Sequence, residues 1–117
     1  MFTHTRNELR DEKGRVNAQT LGKFLGLNKN ETATLIGCNP RMLERNPSSP
    51  DFQGRMECIL EIFNRMREYA NSDEGVFAWF RAHNPDLGFV SPFNAISAGE
   101  ADRIIAYIRR TDTGQPD

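Results

Sequence analysis

Apolar residues along this chain recur every three or four positions and nowhere alternate with polar ones over five or more with the β-branched enrichment of a strand. That spacing is helical, because residues three and four apart share one helix face. Val16, Leu21, Phe24 and Leu25 predict a short helix within 16–27, capped by Asn17 and stopped by Gly26. Ala33, Leu35 and Ile36 predict a second over 29–36, with Asn28 or Asn30 as cap and Gly37 as stop. Asn39-Pro40 restarts the chain as a third helix ending near Arg45. Asparagine caps there, and proline stands at the first helical position, where its missing N–H costs nothing.

The run Asn46-Pro47-Ser48-Ser49-Pro50 reads as a breaker. Met56, Ile59, Ile62, Phe63, Met66 and Tyr69 then stripe a long helix, roughly 53–70. Asn71-Ser72-Asp73 breaks and recaps, and Val76, Phe77, Trp79 and Phe80 form a short apolar helix ending before Asn84-Pro85. Ser91-Pro92 repeats the cap-plus-proline start, and Gly99 stops the helix that holds Phe93 and Ile96. A last helix is expected over 100–110, with Ile104, Ile105 and Ile108 inward, acids in its first turn and Arg109-Arg110 in its last, as the helix dipole favours. The expectation is therefore an all-α fold of about six helices. A loose segment covers 1–15, one helical domain 16–70, a second 71–110, and a flexible tail 111–117.

Composition narrows the picture. The chain has 117 residues, 38% of them apolar and 26% charged, enough for a packed core under a solvated surface. No apolar run approaches the roughly 18 residues of a membrane span, and the polar start is not a signal peptide. Cys38 and Cys58 are too few for a disulfide scaffold, so the expected compartment is the cytoplasm. Net charge is −1, but residues 1–69 hold 11 Lys and Arg against 9 Asp and Glu, while 70–117 hold 4 against 7. The first half is thus the one that can approach a phosphate backbone.

Candidate chemistry is sparse. His4 and His83 lie near no cysteine or serine in a recognisable arrangement, and acids are dispersed. No glycine-rich phosphate loop is present, and Gly22, Gly26 and Gly37 read as helix punctuation. The two cysteines and two histidines lack the close paired spacing of a metal site, and Cys38 and Cys58 read as buried, inert thiols. No enzymatic role, cofactor, metal or small-molecule substrate is expected. Two short helices joined by Gly37-Cys38-Asn39 do meet the requirements of a helix-turn-helix. Its recognition helix would present Arg41, Glu44 and Arg45, with Lys29 near the DNA backbone. Helix-turn-helix proteins usually read two half-sites, so a homodimer is expected.

The segment 77–99 is more specific: Trp79, then Asn84-Pro85-Asp86-Leu87-Gly88, then Ser91-Pro92, then Gly99, then Ile104-Ile105-Ala106-Tyr107-Ile108. A tryptophan helix, an Asn-Pro-x-Leu-Gly turn, a Ser/Thr-Pro helix start, a glycine stop and a final aliphatic helix together resemble the C-terminal toxin-binding domain of the Xre/MbcA/ParS antitoxin family. Leu25-Gly26-Leu27 leading to Asn39-Pro40-Arg41 and Arg45 is similar to that family's Xre-like helix-turn-helix. The likeness covers about residues 20–110. It departs at Asn46-Pro47, where a tryptophan is frequent after the arginine, at His83 in place of proline and at Phe89 in place of a second glycine.

The resemblance implies a RES-domain toxin partner that degrades NAD or transfers ADP-ribose from it, an antitoxin that blocks the toxin's NAD cleft, and autoregulation through operator DNA. Carried over by position, the toxin-binding residues would be Glu100, Arg103, Tyr107, Arg109, Arg110, Thr111 and Asp112. Trp79, Asn84, Pro85, Leu87, Gly88, Pro92 and Gly99 would be the scaffold that aims them. The alternative is a stand-alone helix-turn-helix regulator without a toxin.

Overall fold

A computed structural model describes residues 8–113, with side chains described over 8–110. Among the described residues are seven α-helices and one short 3-10 turn, and no strand: α1 (Ala18–Phe24), α2 (Lys29–Ile36), α3 (Pro40–Arg45), α4 (Pro50–Ala70), α5 (Asp73–Arg81), the 3-10 turn Pro85–Leu87, α6 (Pro92–Ser97) and α7 (Ala101–Thr113). The all-α expectation holds. The chain divides into two compact units after Leu60, so α4 supplies its first half to one unit and its second half to the other. No helix among the described residues is long and apolar enough to cross a membrane.

Most helix boundaries follow from caps. Asn17 Oδ1 accepts the N–H groups of Gln19 and Thr20 at the start of α1. Asn28 and Glu31 form a reciprocal capping box on α2, with Gly37 in the left-handed conformation at its end. Asn39 Oδ1 accepts from the Met42 N–H ahead of α3. α4 begins three residues before the expected 53. Ser49-Pro50 is itself a cap-plus-proline start inside the apparent breaker, and Ser49 Oγ accepts the Asp51 N–H at 3.2 Å. α7 runs to Thr113 rather than ending at Arg110. Residues 1–7 and 114–117, part of the two segments expected to be loose, lie outside the described residues.

The first unit packs Leu9, Val16, Leu21, Leu25, Leu35, Leu43, Met56 and Ile59 into a core, each nearly or wholly buried. Gly22 is not punctuation, as the sequence suggested. It sits inside α1 facing α2, and a Cβ there would lie 2.3 Å from Thr32 Oγ1 and 2.9 Å from Thr32 Cγ2. Only glycine permits that crossing. In the second unit Phe63, Val76, Phe80, Leu87, Ile96, Ile104 and Ile108 are buried. Two aromatic pairs join its helices: Phe63 with Phe77 at 5.3 Å, and Phe80 with Phe93 edge to face at 5.8 Å.

Candidate functional site

The first unit presents α2, a tight Gly37-Cys38-Asn39 turn and α3. The turn is braced from below by a residue the sequence did not single out: Arg55 on α4 donates from Nη1 to the Leu35 carbonyl at 3.1 Å. The structure brings two of the four nominated residues of this unit together. Lys29 Nζ at the head of α2 donates to Glu44 Oε1 on α3, with both side chains about half exposed. Lys29 and Glu44 thereby neutralise each other. Arg41 and Arg45 are exposed on α3, and neither guanidinium has a partner among the described residues. A groove of about 390 Å³ opens beside the pair, floored by Leu27, Thr32 and Leu43 and rimmed by Gln19 and Lys23.

Neither cysteine is in a disulfide, and both are half-buried rather than fully buried. Burial pushes the Cys38 thiol up from its ordinary range, which disfavours the reactive thiolate. Among the described residues no three His, Cys, Asp or Glu side chains gather as a metal site would require.

In the second unit the signature residues build one tightly bonded turn. Asn84 Oδ1 accepts the Asp86 N–H at 2.9 Å, closing the start of the 3-10 turn on Pro85. The Asn84 carbonyl accepts from the N–H groups of Leu87 and Phe89, and the Asn84 N–H donates to the Val90 carbonyl. Leu87 points inward and is buried, while Gly88 takes φ 74°. The next residue, Phe89, is also left-handed at φ 68° and is 70% exposed. For a residue with a Cβ that conformation costs about 1–2 kcal/mol. Ser91, buried, caps α6 by accepting the Asn94 N–H, with Pro92 in its first turn. Gly99, at φ 84°, turns the chain into α7. Trp79 is half-buried on α5.

The residues nominated on α7 divide into two groups. Glu100 and Arg103 are paired with each other at 2.8 Å, and Arg103 Nη2 also reaches the Leu87 carbonyl at 3.4 Å. They tie α7 to the signature turn. Arg109 lies 3.7 Å from Glu61, which also pairs with Arg65 at 3.2 Å, one turn further along α4. Arg109 and Arg110 are both exposed. Tyr107 is half-buried and, with Ile108, faces Met66 and Tyr69 of α4 across an apolar groove of about 210 Å³. Thr111 and Asp112 lie within the last turn of α7, beyond the described side chains.

No family model matches the chain, and no curated protein matches it in sequence. Its structure is similar to that of a chain in the crystal structure of the M. tuberculosis MbcT-MbcA toxin-antitoxin complex. The TM-score is 0.60 at 20% identity, over 83% of this chain and 91% of that one. The two chains share a fold.

Proposed function

We propose that this chain is an antitoxin of the MbcA type. The observation that carries the reading is the shared fold, which spans most of both chains and whose counterpart comes from a toxin–antitoxin complex. Its partner is a RES-domain toxin that consumes NAD or transfers ADP-ribose from it, and inhibition is by obstruction. The second unit aims α7, whose exposed Arg103, Arg109 and Arg110 and half-buried Tyr107 meet the toxin, while the segment from Thr111 enters the NAD cleft. No chemistry by the antitoxin is required; it acts by occupying space and by matching charge.

The α2–turn–α3 unit serves as a helix-turn-helix that binds the protein's own operator. Arg41 and Arg45 supply the basic contacts, and Glu44 limits what Lys29 adds. DNA contact is the weaker of the two roles, because one of the three nominated cations, Lys29, is neutralised by Glu44.

The test uses the product of the reading frame adjacent to this chain's gene. NAD consumption by that purified protein is followed with the full chain and with a chain ending at Arg110. The full chain inhibits, and truncation weakens inhibition at least tenfold. Undiminished inhibition by the truncated chain would refute the plug.

A further inference from the structure

Phe89 contributes little to the fold that carries it. Its ring is 70% exposed, and its backbone is left-handed at φ 68°. An exposed ring leaves apolar surface in water, and a Cβ in that conformation is strained. Glycine at this position would relieve both. Stability therefore does not account for the side chain. Residues that break local preference with no structural return gather at binding sites.

The turn beneath the ring is stiff. Asn84 accepts from the N–H groups of Asp86, Leu87 and Phe89 and donates to the Val90 carbonyl. Buried Leu87 pins the turn from inside. The turn is also fastened to α7. Arg103 Nη2 reaches the Leu87 carbonyl at 3.4 Å and lies 4.0 Å from where a Cβ on Gly88 would stand. On α7, Arg103, Ala106 and Arg110 are exposed and spaced three and four apart, so they form one solvent-facing stripe, turned away from buried Ile104 and Ile108. Phe89 thus stands on a turn bonded to the head of that stripe.

We propose that Phe89 is an anchor for the toxin, its ring entering an apolar pocket on the toxin surface while the α7 stripe lies along the adjoining surface. This rests on the antitoxin function proposed above and adds to it a contact outside α7. Large aromatic side chains carry much of the energy of protein interfaces. A ring on a turn already closed by hydrogen bonds loses little conformational freedom on docking. Charge selects a protein as the occupant. Residues 70–117 hold 4 Lys and Arg against 7 Asp and Glu, a balance that repels a phosphate backbone or an anionic lipid surface.

The full chain and its Phe89→Gly and Phe89→Asn variants are titrated by calorimetry against the purified product of the adjacent reading frame, with thermal melts followed alongside by circular dichroism. Asparagine tolerates the left-handed backbone, so neither variant strains the turn. The wild type binds, and both variants melt no lower yet bind at least tenfold more weakly. Variants that bind as tightly as the wild type overturn the anchor and leave the antitoxin function standing. Weaker binding accompanied by a lower melting temperature also overturns it, by showing that the ring supports the fold. A wild-type chain that does not bind the neighbour removes the antitoxin function and the anchor together.

Discussion

Gly22 lets α1 and α2 approach to a distance that no side chain survives. Adding one methyl would ordinarily gain about 1 kcal/mol of helix propensity. Here that methyl meets Thr32 Oγ1 at 2.3 Å, and Thr32 is buried, β-branched and bonded through Oγ1 to the Asn28 carbonyl at 2.8 Å. Overpacking of that kind costs about 1–3 kcal/mol and exceeds the propensity gain. Gly22→Ala is expected to lower the urea midpoint, and Thr32→Ala in the same chain to recover most of the loss. Additive effects of the two substitutions would show that the crossing is not what constrains Gly22. The sequence places a glycine at position 22 but does not say whether it turns the chain or lets another helix in. That depends on which residue lies opposite, and Thr32 is ten residues away. Phe89 is a related case: its place where the resembling pattern has a second glycine is the one hint of a left-handed residue, and the bonds that join Asn84 to Phe89 and Val90 hold it there.

At the scale of elements the reading was more complete, because caps are local. Asn28, Asn39, Ser72 and Ser91 each accept a backbone N–H at the start of a helix, and three of the seven helices have proline at or near the first position. The same logic at Ser49-Pro50 was hidden by neighbouring Asn46-Pro47, which suggested one long break. The end of α7 was misplaced because Thr111 and Thr113 are poor helix formers; the helix continues past Arg110 regardless. Pairings between helices were not legible at all. Lys29 and Glu44 stand fifteen residues apart, and only the packing of α3 against α2 joins them. This pairing yields a test of the proposed DNA face. Each phosphate contact contributes about 0.9 to the slope of log K against log salt. Arg41→Gln is expected to reduce the slope by about 1, whereas Lys29→Gln changes it much less, since Lys29 is held by Glu44. Equal losses from both variants would show that the ion pair opens on DNA.

For the molecule as a whole, two units divide two proposed tasks. The first carries the candidate DNA face, and the second carries the signature turn and the helix that it anchors. The fold class was legible because helical spacing runs through the entire chain and no competing strand pattern exists. The division after Leu60 was not, because it falls inside an unbroken helix where no glycine or proline marks a boundary. The shared fold with a chain of a toxin–antitoxin complex supports the proposal that this protein restrains a toxin by binding it. Co-expression with the neighbouring gene product tests that proposal. The adjacent reading frame is induced in a heterologous bacterium with and without this chain, growth is followed, and an affinity tag on this chain is used to recover the complex. Growth arrest by the neighbour alone, restored growth with both, and co-purification of the two proteins are expected. Arrest that persists with this chain present, with no neighbour recovered on the tag, would contradict it.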